Sequence, residues 1–260
     1  MKSYLKKICL PALATLCIAC NGIFGGIYDE PQLQPDTTVS GELYIDASDW
    51  QQWHYIDLRA VAAASAANPG YNPSSAWVTM PVPTEELSGS QTGDFGIYTY
   101  WYDVLGQGIS VREFRSKYPT LCQNEPDVWT IAVHRNNVRT NGASVAETDF
   151  KNIEDVPEDT DFLASLNFVS DTWSESEVWV IPDKMLLGLI GNQGIDINPV
   201  LSRWLTINIP PLPPSFTLND NVFVIKCADG TYGALQLVNY QSPTGLKCCL
   251  TIKYKYPINV

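Results

Sequence analysis

Val222-Phe223-Val224-Ile225-Lys226-Cys227, the pair Asp229-Gly230, the run from Tyr232 to Tyr240, and the closing run from Leu246 to Tyr256 together decide the fold class. In the closing run Cys248, Leu250, Ile252, Tyr254 and Tyr256 fall on one face, and Lys247, Cys249, Thr251, Lys253 and Lys255 on the other. Side chains alternate in this way along a strand. An apolar face opposed to a polar one marks an antiparallel sheet that is half buried. Asp-Gly between two such runs is a hairpin turn. The C-terminal third therefore reads as a three-stranded meander.

Working toward the N-terminus, the same signal recurs. Trp204 to Ile209 reads as a strand ending at Pro210-Pro211-Leu212-Pro213-Pro214, and Glu177 to Ile181 as a strand ending at Pro182-Asp183. Val128 to Arg135 is the strongest strand of the first half, with Trp129, Ile131 and Val133 on one face and Thr130, Ala132 and His134 on the other. Asn141-Gly142 supplies a turn. Residues 146–161 are acidic and read as a solvated connector. Ile97 to Tyr102 is rich in residues that favour strands. Ser110 with Glu113 three residues on forms a capping-box pattern, which predicts a short helix over Val111 to Lys117. Residues 68–94, dense in Pro, Ser, Gly and Thr, read as a long loop with one short strand over Ala76 to Met80. Arg59 to Ala67 reads as a helical turn, and Glu42 to Asp46 and Trp53 to Leu58 as strands. Long helical periodicity is absent and no internal repeat is visible. The expected class is mostly β, one antiparallel, sandwich-like domain with short helices.

The N-terminus carries a different signal. Lys2, Lys6 and Lys7 precede an apolar run from Ile8 to Ala19, too short for the roughly 20 residues of a membrane span. It reads as a secretory signal over residues 1–19. Ile18-Ala19-Cys20 fits the bacterial lipoprotein pattern, in which Cys20 is lipidated; an ordinary signal with an incidental Cys20 is the other reading. Residues 20–40 read as a flexible tether and 41–260 as the folded domain. Of 260 residues, 16 are Lys or Arg against 28 acids, a net charge of -12. Three lysines leave with the leader, so the mature chain is more acidic still. Nucleic acid is disfavoured as a partner, because affinity there rests on neutralising phosphates. An acidic surface does not hold anionic membrane either, so attachment falls to the lipid, at about 0.8 kcal/mol per buried CH₂.

Chemistry is thinly signposted. No nucleophile elbow, P-loop or metalloprotease helix occurs, and a carboxylate-pair hydrolase leaves no signature to find. Beyond Cys20 the mature chain has Cys122, Cys227, Cys248 and Cys249, without C-x-x-C spacing, so zinc is not indicated. Cys227 and Cys248 can meet within the C-terminal sheet, or Cys248 is simply a small buried residue. His134 reads either as a metal or haem ligand or as a structural histidine beside Arg135 and the turn Arg139 to Gly142. His54, between Trp53 and Tyr55, reads as sheet surface. Met185 reads either as apolar packing at a strand end or as a soft thioether ligand for haem iron. Eight tryptophans and thirteen tyrosines suit a flat aromatic ligand's pocket and fill β cores equally well.

The run Trp129-Thr130-Ile131-Ala132-Val133-His134-Arg135-Asn136-Asn137-Val138-Arg139-Thr140-Asn141-Gly142 resembles the signature of the HmuY-like haem-binding lipoproteins of Bacteroidetes. Ile45 to Ser48 with Trp53 to Leu58, Phe216 to Asn219 with Val222 to Ile225, and Ala228 to Leu237 with Ile252 to Pro257 agree in order. The likeness covers most of residues 42–257, with 60–125 enlarged. It implies an all-β fold like a cupped hand, and haem held between two protruding β elements by two axial side chains, His–His or Met–Met. It implies capture of haem outside the cell and delivery to an outer-membrane receptor. It also implies that His134 is not an axial ligand.

Carried over residue by residue, one ligand position falls in residues 177–186, where Met185 is the soft ligand. The other falls after Trp204-Leu205, where Ile209 or Leu212 stands and neither binds iron. The expected function is thus a non-enzymatic outer-membrane lipoprotein that binds haem or a related tetrapyrrole, or another apolar small molecule. In this reading Cys20 is the anchor, Met185 the metal ligand, and Trp204, Ile207 and Ile209 the pocket walls. The alternative is the same fold serving as a surface module for a glycan, a peptide or a partner protein.

Overall fold

A computed structural model describes residues 38–68, 70, 71, 73, 76–82, 99–103, 108–113, 125–209 and 213–259. The leader, Cys20, nearly all of the tether, residues 83–98 and Cys122 lie outside these residues.

Sixteen strands are described: β1 (Val39–Asp46), β2 (Gln52–Ile56), β3 (Trp77–Pro81), β4 (Thr99–Asp103), β5 (Gly108–Glu113), β6 (Ile131–His134), β7 (Asn137–Thr140), β8 (Ser144–Glu147), β9 (Val169–Ser170), β10 (Thr172–Ile181), β11 (Leu189–Ile197), β12 (Leu205–Asn208), β13 (Ser215–Leu218), β14 (Phe223–Lys226), β15 (Tyr232–Gln241) and β16 (Lys247–Ile258). Helix α1 (Leu58–Ala67) and helix α2 (Thr160–Ser165) join them. The class is mostly β and antiparallel, as the sequence predicts.

The meander is the structural spine. Strands run β1-β16-β15-β14-β8-β9 in one sheet. The predicted apolar face of β16 is the buried one: Leu250, Ile252, Tyr254 and Tyr256 join Leu43 and Ile45 of β1 in the main core. A second sheet, β3-β2-β6-β7, closes that core from the other side with Ile56, Ile131, Val133 and Val138. Its far face carries Trp53, Tyr55 and Ala132, which pack on Val178, Val180, Ile195 and Ile197 of the third sheet, β10-β11-β4-β5. Strands β2, β6 and β7 of the middle sheet are therefore buried on both faces, while its edge strand β3 exposes Val78 and Thr79.

That layering corrects several expectations. His54 is not sheet surface: it is 7% exposed, because β2 is an inner strand flanked by β3 and β6 and covered by the neighbouring layers. Trp129 precedes β6 and joins Ala132 in the second core rather than Ile131 in the first. The helix expected over Val111 to Lys117 is instead strand β5 through Glu113, paired with β4; residues 114–117 are not described. The acidic 146–161 stretch is not a free connector. Its Ile153 and Val156, with Leu163 of α2, cover Val222, Val224, Ala234 and Ile258 on the outer face of the first sheet. Strand β1 starts at Val39, and the strand expected from Glu177 starts at Thr172. Within 60–125, α1, β3, β4 and β5 extend existing sheets and core. Cys227, Cys248 and Cys249 are free thiols.

Candidate functional site

The signature around β6 and β7 is a scaffold. His134 is wholly buried and its Nε2–H donates to the carbonyl of Trp50 at 2.9 Å. Burial pushes its pKa down to about 4, so the imidazole is neutral. Arg135 takes the left-handed turn position (φ 54°), lays its guanidinium 4.2 Å from the Trp50 ring and donates to Ser48 O at 3.1 Å. Trp50 in turn stacks on Trp179 of β10, ring centroids 6.2 Å apart. A cation over an aromatic face is attracted by the ring quadrupole. The turn after β6 thereby positions β10.

A second set of bonds places the chain opposite. Asp171, just before β10, accepts from Thr140 N at 2.6 Å, Thr140 Oγ1 at 2.9 Å and Asn198 Nδ2 at 3.1 Å. Burial still pushes the Asp171 carboxyl upward against those donors. Asn198 Oδ1 accepts from Val200 N and Leu201 N, which caps a 3₁₀ turn over Leu201–Trp204. Ser202 Oγ accepts from Val138 N at 3.0 Å, and Trp204 Nε1 donates to Asn136 O at 2.9 Å. The turn and the strand β12 that follows it are thus tied to β7.

Between these elements lies a cleft of about 540 Å³, within the roughly 300–1,000 Å³ usual for small-molecule sites. Strand β10 contributes Thr172, Trp173, Ser174, Ser176, Glu177 and Trp179. The 3₁₀ turn and β12 contribute Arg203, Leu205, Thr206, Ile207 and Ile209, while Asn136, Ile197, Pro199 and Ser202 complete the lining. Residues of both parities of β10 reach the cleft, which a regular strand does not allow. Two features permit it: β10 is the end strand of its sheet, and its pairing with β11 slips between Ser174 and Val178. The slipped segment is held by Asn137 Nδ2, which donates to Glu177 O at 2.7 Å, and by Trp179 Nε1, which donates to Ser176 O at 3.1 Å.

The four pocket residues expected from sequence separate here. Ile207 and Ile209 line the cleft. Trp204 is fully buried in the main core and supports the wall from behind. Met185 lies in a short 3₁₀ turn (Met185–Leu187) between β10 and β11, 43% exposed, and is not among the lining residues. The described lining holds no histidine, cysteine or methionine. It offers flat apolar contact, hydroxyl groups and one carboxylate, that of Glu177. Trp173, Trp179 and Arg203 were not singled out from sequence. Arg203 had a readable signal, a lone cation between the apolar runs Val200-Leu201 and Trp204-Leu205.

Comparisons with known proteins agree with this architecture. A profile of the HmuY protein family matches residues 49–254. A candidate HmuY-like heme binding protein from Bacteroides vulgatus has 27% identity and TM-score 0.56, over 85% of this chain and 93% of that one. A candidate lipoprotein from Bacteroides fragilis has 24% identity and TM-score 0.57, over 84% and 89%. An apo HmuY analog from Tannerella forsythia has 18% identity and TM-score 0.58, over 85% and 97%. No curated protein matches the chain. With the profile spanning both the scaffold signature and the two elements that wall the cleft, the chain belongs to the HmuY family.

Proposed function

We propose that this protein is a non-enzymatic, lipid-anchored envelope protein that takes haem or a related tetrapyrrole into the cleft between β10 and β12 and yields it to an outer-membrane receptor. The observation that carries the reading is the wall chemistry: Trp173 and Trp179 from β10, with Leu205, Ile207 and Ile209 from the other side. Apolar burial of a ring contributes about 25 cal/mol per Å², so the walls favour a planar apolar ligand. The family and the description of the Bacteroides vulgatus relative as heme binding support the same ligand class. Iron is cargo in this reading. Met185, exposed on the hairpin that continues β10 but outside the described lining of the cleft, is its proposed soft ligand on the strength of the resemblance and of its thioether chemistry. The leader and Cys20 support the anchor, with 20–40 as tether and 41–260 as the binding domain.

Haemin titrated into the purified protein tests this. A sharpened, shifted Soret band is expected, and Met185→Ala should move that band while leaving the ring bound. A spectrum identical to free haemin at every ratio removes the reading.

A further inference from the structure

We infer that Arg203 is the residue that selects the cleft's ligand by a carboxylate. The inference rests on the tetrapyrrole reading above and adds to it the charge the ligand must carry.

Among the described residues lining the cleft, Arg203 is the single cation and Glu177 the single anion. Both are exposed, and no ion pair joins them or occupies the Arg203 guanidinium within the described residues. Its mount is unusually fixed for a surface arginine. Leu201, Ser202 and Trp204 are all buried, so the turn can point Arg203 nowhere but outward. Ser202 is bonded to both backbone groups of Val138, and Trp204 to Asn136 O, so the residues flanking Arg203 are pinned on both sides. Arg203 N itself donates to Val200 O at 3.1 Å. A guanidinium presents a planar fork that matches a carboxylate with two parallel bonds. Fixing its stem lowers the ordering cost of making them.

The charge of the whole chain sharpens the argument. At net -12 the protein repels an anionic ligand at long range. An acid group entering the cleft meets Glu177 on one wall and needs the opposing cation on the other. An apolar ring without acid groups needs neither. The ligand class that fits is a flat apolar ring bearing a carboxylate, held by the ring's faces and sorted by its acid.

The test uses iron-free protoporphyrin IX and its dimethyl ester in dilute non-ionic detergent, with quenching of tryptophan emission as readout. Removing iron separates this question from ligation. Arg203→Gln should weaken binding of the free acid about five-fold, the scale of a partly exposed charge-assisted pair, and leave the ester unchanged. Arg203→Lys should fall between. Glu177→Gln should tighten the free acid and not the ester. Far-UV circular dichroism of each variant checks that the fold is kept. If Arg203→Gln shifts both ligands equally, or neither, while the wild type binds both, the carboxylate assignment is wrong and the ring reading stands. If the wild type quenches with neither porphyrin, the ring reading fails and takes this inference with it.

Discussion

His134 shows how one side chain in a signature can brace the scaffold from outside the cleft's lining. It donates to Trp50 O, and Trp50 receives Arg135 on its ring and Trp179 against it. Because burial lowers its pKa to about 4 from 6.5, the unfolded chain binds this proton more readily than the folded one. Below about pH 6.5 the unfolded state gains the proton and the folded state does not. Stability should therefore fall as pH drops from 6.5 toward 4 and level off beneath. The full effect is on the order of 3 kcal/mol, and His54, also lowered by burial, acts in the same direction. Urea unfolding at pH 7 and pH 5 should show the loss, and His134→Gln should show markedly less of it. The strand context of His134 leaves both a ligand and a structural role open, and the structural reading comes from the family resemblance. That His54 is buried was not readable in the sequence, since alternation names the face of a side chain and says nothing of whether a second layer covers that face.

Elements were legible where their own pattern decided them and not where a partner did. The meander reads directly because its faces differ in polarity. Ser110 to Glu113 fits a helix start, yet the segment pairs with Thr99–Asp103, and cross-strand pairing overrides a capping pattern with only a few local residues behind it. The 146–161 stretch hides its role in the same way: acids outnumber the buried Ile153 and Val156. Lys255, on the outer face of β16, helps dock it through Glu158 Oε1 at 3.0 Å. If this segment is true cover for the first sheet, Leu163→Ala in α2 should cost about 2–4 kcal/mol, as for a buried leucine. The exposed Glu154→Gln should change stability by less than about 0.5 kcal/mol. Chemical denaturation of the two variants checks this; equal, small effects would mean the segment is loosely laid on.

The cleft lies where the third sheet faces the separate two-stranded sheet β12-β13. Its β10 wall belongs to the third sheet, while the turn bearing Arg203 and the strand β12 are tied to the middle sheet through Val138 and Asn136. The resemblance carried by the scaffold signature points to residues 177–186 and to the stretch after Trp204-Leu205, beside a cleft lined by β10 residues from Thr172 to Trp179 and by Leu205, Thr206, Ile207 and Ile209. It missed Trp173 and Trp179, since the slip in β10 that turns both parities toward the cleft leaves no sequence mark. A ligand seated there touches two layers at once and has no counterpart site in the unfolded chain. It should therefore stabilise the whole fold by mass action, about 2.7 kcal/mol at a hundred-fold excess over Kd. For a chain of this size each kcal/mol is worth about 2–4 °C, so haemin or protoporphyrin should raise Tm by about 5–10 °C in differential scanning calorimetry. Trp179→Ala loses the ring wall and the stack on Trp50 together, so it should lower the ligand-free Tm and also shrink the ligand's increment. Ile209→Ser, at the cleft's rim and outside the buried cores, should shrink the increment alone. An increment that survives both substitutions would place the ligand elsewhere on the molecule.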